Sequence, residues 1–243
     1  MCRLLGYIAR RPINPGFAFF TGDTNLFTLS HEHSDGWGIA WTSNLGWEVF
    51  KEPVALYLSE SAERVVQEIR SLLVIAHIRK ASQGEKSHVN THPFTSGNWA
   101  FAHNGTIGDY SRLREMLGER TKLLQGETDS EAFFQLLIKN IEDRGDIVEG
   151  VRATIKQLED NGIHYTSLNS VFSDGSQLYG LNLFRGSDSE YYTMYMGRFM
   201  IDGVELVAIA SEPVGGIEGW EKIGNNKLVV VDRHLTPSIY TVI

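Results

Sequence analysis

Met1-Cys2-Arg3-Leu4-Leu5-Gly6 opens the chain, and Cys2 is the only cysteine in its 243 residues. Removal of the initiator Met would make Cys2 the N-terminus, placing a thiol and a free α-amine on one residue. Residues 4–9 continue as a short apolar strand directly after it. The rest of the chain can be read as supplying a pocket to that first residue.

The bulk properties narrow the field. The length fits one large domain or two small ones. No stretch reads as a linker, a repeat or a low-complexity segment, so a single domain over 1–243, mature from Cys2, is expected. An apolar content of 42% suffices for a sizeable core, and 21% charged residues is ordinary. A net charge of −8 is the wrong sign for a nucleic-acid footprint. The densest apolar run, 72–76, stops at His77 and is far too short to span a membrane. Arg10 and Arg11 interrupt the N-terminus before a signal-peptide core could form. A single cysteine excludes an internal disulfide, and cytoplasm is the default expectation.

Further along, Pro12 and Pro15 predict a turn. Asp35-Gly36-Trp37-Gly38-Ile39-Ala40-Trp41 brackets an aromatic with glycines. That pattern fits either close approach of another backbone or a bulge in a core strand. The spacing of Ala62, Val65, Val66, Ile69 and Leu73 predicts a helix over 61–73, and 72–78 reads as a buried strand ending at Arg79. An arginine there either snorkels outward or faces an anion. Residues 98–103 read as a strand ending in Asn104-Gly105, which taken alone is a hairpin-turn dipeptide. Gly126-Glu127-Thr128-Asp129-Ser130-Glu131 opens a helix with Thr128 and Glu131 as a capping box and one largely apolar face. Asp146 caps a second helix that Gly162 ends. From Thr166 onward the chain predicts strands at 168–172, 177–184, 191–196, 205–211, 227–231 and 238–242. Strands on both sides of a central helix pair give an α+β class with layered sheets.

Taken together, Met1-Cys2, Asp35-Gly36-Trp37-Gly38, His77-Ile78-Arg79, Asn90-Thr91-His92-Pro93-Phe94, His103-Asn104-Gly105, the segment from Gly126 to Glu131 and Ala210-Ser211-Glu212-Pro213 resemble the class II glutamine amidotransferase domain. Each segment is weak singly; their shared order over almost the whole chain is not. The nearest subgroup is the stand-alone YafJ-like one, which is similar to the γ-glutamyl amidases of ergothioneine and glutathione metabolism. The resemblance implies an N-terminal-nucleophile hydrolase fold, a four-layer αββα sandwich of two mainly antiparallel sheets between helices. It implies cleavage of the γ-amide of glutamine or a γ-glutamyl compound, with no cofactor and no metal.

The resemblance also implies roles. Cys2 is the nucleophile, and its own α-amine, with a pKa of about 7.7–8.0, is the base. Asn104 and Gly105 match the oxyanion hole. Arg79 matches the grip on the substrate α-carboxylate, and Asp129 the partner of its α-ammonium. His77 and His92 lie in matching segments and are read as structural. Glu212 and Trp220 match in sequence only and receive no chemistry. One departure favours the stand-alone branch: Gln83 stands where the aminosugar synthases have a second histidine. The glutaminase-like domain also consumes all 243 residues. Ammonia would then go to a separate accepting protein, or the protein is an amidase that ends its cycle with water. Two rivals come from other classes. His31-Glu32-His33 with Asp35 offers zinc-type ligands. Alternatively, a non-catalytic module could bind glutamine or a γ-glutamyl ligand for a partner enzyme.

Overall fold

In the computed structural model, which describes residues 2–81, 84–186 and 189–243, the strand expected after Cys2 is β1 (Arg3–Ile13). Expectations placed on Met1 and Gln83 lie outside the described residues. β1 outlasts its apolar run because Pro12 sits in the strand, where the register with its neighbour shifts between Ile8 and Ile13. Such irregular positions are where a strand tolerates proline. The turn comes at Pro15, which caps α1 (Gly16–Phe20).

The chain then forms α2 (Leu26–Leu29), β2 (Trp37–Ser43), β3 (Gly46–Glu52), α3 (Ala62–Glu68), β4 (Ser71–Ile78), β5 (Phe94–Ser96) and β6 (Trp99–Asn104). After these come α4 (Tyr110–Leu117), α5 (Asp129–Arg144), α6 (Ile147–Asp160), β7 (Asn169–Ser173), β8 (Leu178–Asn182) and α7 (Ser189–Tyr192). The last strands are β9 (Met194–Ile201), β10 (Val204–Ala210), β11 (Glu221–Ile223), β12 (Lys227–Val231) and β13 (Pro237–Thr241). One antiparallel sheet has the order β11-β9-β10-β1-β4-β2-β3, the other β13-β12-β8-β7-β6-β5.

Strand alternation builds four layers. On β1, Leu5 and Tyr7 face outward and pack with Phe19 and Val66 under α1–α3. Leu4 and Ile8 face inward and meet Val171, Leu178 and Val229 of the second sheet. A Cβ on Gly6 would lie 2.3 Å from Val171 Cγ1, so glycine lets the sheets close here. Phe101 and Phe172 face the far side, under Phe133, Phe134 and Leu137 of α5. The order is helices, sheet, sheet, helices, the αββα sandwich.

Several expectations need correction. The helix over 61–73 shrinks to α3, because Ile69 turns extended and Ser71 begins β4. Asn104-Gly105 is no hairpin: Asn104 closes β6 opposite Asn169, and the chain continues toward α4. Residues 191 and 192 belong to α7, so the strand expected from 191 starts at Met194. α5 is buried around nearly its whole circumference from Asp129 to Leu137, since α4, α6 and the second sheet all cover it. Its cap is half the expected box. Thr128 Oγ1 accepts from Glu131 N at 3.2 Å, but the Glu131 carboxylate accepts from Gln125 N and Gly126 N, both at 2.8 Å. Elements α1, α2, β3, β5, α4 and β11 lie outside the elements expected from sequence.

Candidate active site

β1 lies between β10 and β4, so Cys2, just before it, sits beside the residues that follow β4. The Lys80 backbone N–H donates to Cys2 Sγ at 3.3 Å, and the thiol lies 3.5 Å from Lys80 O. Cys2 is half-buried. Burial pushes its thiol pKa up, while the Lys80 N–H and the Arg79 and Arg3 guanidiniums pull it back.

The Asp35-Gly36-Trp37-Gly38 stretch fixes Arg79. Asp35 N donates to Arg79 O at 3.0 Å, and Arg79 N donates to Gly36 O at 2.7 Å. Gly36 has φ +146°, and a Cβ on Gly38 would come within 2.3 Å of His92 O. Of the two sequence readings, close approach holds. The buried Arg79 guanidinium donates to Glu85 O at 3.0 Å and Gly84 O at 3.1 Å. That segment is tethered by Asp35, whose carboxylate accepts from Ala81 N at 2.8 Å and pairs with Lys86 at 2.6 Å. Burial raises the Asp35 pKa, but these two partners outweigh it and hold the carboxyl below its usual value.

From the second sheet, β6 delivers His103, Asn104 and Gly105. Asn104 is buried, and its Oδ1 has no hydrogen-bond partner among the described residues. A Cβ on Gly105 would lie 2.0 Å from Ser167 O, so only glycine fits there. Asp129 opens α5 with Oδ2 accepting from Ile107 N at 2.6 Å and Oδ1 from Ser130 N at 2.8 Å. His103, which sequence reading did not single out, ties these parts together. Its Nε2 donates to Ser167 O at 3.0 Å, leaving Nδ1 to accept from Ser130 Oγ at 2.9 Å. Its signal in the sequence was its place directly before Asn104.

One cavity gathers the expected residues. Cys2, Arg79, Gly105 and Asp129 line it, together with His92 and His103. Asn104 adjoins it through Gly105. Its volume is about 20 Å³, room for roughly one water. A group larger than a water therefore enters only if the walls part. The larger cavity of about 820 Å³, between α3 and β2, contains no nucleophile of this kind. The zinc-type residues do not converge. His31 stacks on Tyr57 at 4.1 Å, His33 Nδ1 bonds Leu29 O at 2.7 Å, and Asp35 is engaged as above.

The buried rings of His77 and His92 lie tilted against each other, 4.3 Å apart, and neither His92 nitrogen has a hydrogen-bond partner among the described residues. Burial, helped by Arg79, pushes His77 down to about 3, and burial also lowers His92. The unfolded chain protonates His77 near ~6.5 while the folded state keeps it neutral. Its contribution is complete above that pH and is lost as pH falls toward about 3, on the order of 5 kcal/mol over the whole window. Urea midpoints between pH 7 and pH 4.5 are expected to fall steeply, and His77→Gln to flatten the slope; an unchanged slope would refute this.

Two antiparallel sheets between layers of helices, with a small cavity where strand ends from both sheets meet, form an architecture found in solved structures. A solved structure titled as a glutamine aminotransferase class-II domain protein from Silicibacter pomeroyi matches at a TM-score of 0.74 over 99% of both chains, at 19% identity. The family model described as "Glutamine amidotransferases class-II" matches residues 1–185. The chain is 34% identical to "Uncharacterized protein MJ1515" of Methanocaldococcus jannaschii, over 95% of this chain and 69% of that one. It is 32% identical to "Putative glutamine amidotransferase YafJ" of Escherichia coli K12, over 92% and 94%. The chain belongs to the class-II glutamine amidotransferases. No helix among the described residues is long and apolar enough to cross a membrane.

Proposed function

We propose that the mature chain cleaves the γ-amide of glutamine or a γ-glutamyl compound through a thioester on Cys2. The observation that supports this best is the gathering of Cys2, Arg79, Gly105 and Asp129 around one cavity from four separate segments. The raised thiol pKa means that Cys2 needs a base to reach the thiolate. Its own α-amine, freed by loss of Met1, is that base. As Sγ bonds the δ-carbon, the thiol proton passes to the amine and then to the leaving nitrogen as the C–N bond breaks. Water then attacks the thioester carbon and gives its proton to the same amine; the C–S bond breaks, the amine returns that proton to Sγ, and glutamate leaves.

The Gly105 N–H and the Asn104 amide hold the oxyanion. Arg79 takes the α-carboxylate and Asp129 the α-ammonium. Each oxygen of Asp129 already accepts a backbone N–H, and a carboxylate has lone pairs for further donors. Water or a separate ammonia-accepting protein completes the cycle. The test is glutamate release by protein shown by intact mass to lack Met1, from glutamine, glutathione and γ-glutamyl amides, beside Cys2→Ala. Release that vanishes in the variant is expected. No release from any substrate, or release that survives Cys2→Ala, overturns the proposal.

Asp35 acts here as a positioning residue, because it tethers the segment whose carbonyls hold the Arg79 guanidinium. Asp35→Ala is expected to raise KM for glutamine about tenfold, the cost of roughly one charge-assisted hydrogen bond, and to change kcat less. Equal effects on both constants would contradict that role.

A further inference from the structure

We propose that the open cavity on the other flank of Cys2 is a subsite for the leaving amine, and that it selects γ-glutamyl amides whose amine carries a distal positive charge. This rests on the reading of Cys2 as nucleophile. β1 has two neighbours. Beyond β4 lie Arg79, Lys80 and the glutamyl cavity; beyond β10 the chain runs into Ser211 and Glu212. A cavity of about 440 Å³ opens on that second flank, lined by Arg3, Glu190, Tyr191, Tyr195, Ser211 and Glu212. It begins at the nucleophile's own backbone, since Arg3 Nη1 donates to Cys2 O at 3.3 Å. α7 walls it from above, anchored by Asn169 Nδ2 to Tyr192 O at 2.5 Å and by the Tyr192 ring stacked on Phe184 at 5.6 Å.

The glutamyl cavity has no volume to spare beyond its own clamp. With the α-carboxylate on Arg79 and the α-ammonium on Asp129, the glutamyl carbons fill the β4 flank. In this proposal the leaving nitrogen points away from that clamp, toward β10. The charge of the second cavity selects the group that this nitrogen carries. Among its described lining residues the cation is Arg3, and its Nε pairs with Glu212 Oε2 at 2.5 Å. Arg3 balances Glu212, and Glu190 lines the same cavity together with Tyr191 and Tyr195. Carboxylate and aromatic faces attract a cation. An amine ending in a carboxylate would meet Glu190 with the local guanidinium already paired.

Three probes of equal length test this: the γ-glutamyl amides of 1,5-diaminopentane, pentylamine and 5-aminopentanoate. Binding to the Cys2→Ala protein is measured by calorimetry, and kcat/KM on the active protein. The diamine amide is expected to exceed the neutral one by at least about fivefold in both, and the acidic one by more. Glu190→Gln brings the diamine-to-neutral ratio close to one. A series that ignores charge or favours the acid, or a ratio that Glu190→Gln leaves intact, overturns the subsite. If the affinities keep the expected order but no amide is cleaved, the subsite stands and the catalytic reading of Cys2 falls.

Discussion

Glutamate release falls by on the order of 10²–10⁴-fold when a single extra residue is left in front of Cys2, the usual contribution of a positioned general base. The reason lies in two facts about one residue. Burial raises the Cys2 thiol pKa, and the nearby guanidiniums only partly offset it. Neither histidine that lines the cavity replaces the amine: His103 is committed to Ser130 and Ser167, and burial holds His92, like His77, neutral and weakly basic. An extra residue converts the amine to an amide, which has no useful basicity, yet leaves the thiol and its Lys80 contact in place. The measurement is the rate of glutamate formation by tagged, uncleaved protein against the same batch processed to Cys2, each verified by intact mass. Equal rates would remove the α-amine from the mechanism.

Asn104→Ala lowers kcat for glutamine by on the order of 10²–10³-fold with little change in KM, because an oxyanion donor acts in the transition state and not on the bound substrate. Asn104 suits such a test. It closes β6 in register with Asn169, so its backbone is held by the sheet whatever its side chain. Its Oδ1 lacks a partner among the described residues, so alanine removes an amide that the fold leaves partly unsatisfied. Gly105→Ala behaves differently. Its Cβ would press on the Ser167 backbone at 2.0 Å, and on His103 at 2.9 Å, so stability and activity fall together. Steady-state kinetics with thermal unfolding separate the two cases. A kcat for Asn104→Ala within tenfold of wild type would exclude an oxyanion role for that amide.

Much of this architecture was legible as pattern. The apolar runs around β1, β4, β6, β10 and β12 are buried strands whose sequences announce them, and the Thr128 and Asp146 caps mark real helix starts. The misreadings share one cause. Ile69 continues the helical spacing of α3, but the chain must turn to enter β4. Asn104-Gly105 has hairpin chemistry, but β6 already pairs with β5 before it, and its other neighbour is β7, more than sixty residues away. Tyr191 and Tyr192 have strand propensity, but they close a short helix held by Asn169 and Phe184. In each, a contact distant in sequence outweighs a local preference.

The sequence by itself determined which residues could do chemistry and that sheets between helices would carry them. A lone cysteine at position two, a strand ending in arginine, and a helix opening on Thr128-Asp129 are local facts. Only the tertiary structure decided that these ends meet. β1 and β4 are neighbours in one sheet, while β6 lies across the sandwich beside α5, and the sheets stack with the ends of all three strands on the same side. It also decided that Glu131 serves the loop before α5, that Asp35 tethers the wall beside Arg79, and that Arg3 and Glu212 pair on the far flank of Cys2. Those pairings come from sheet order and packing, which no window of neighbouring residues encodes.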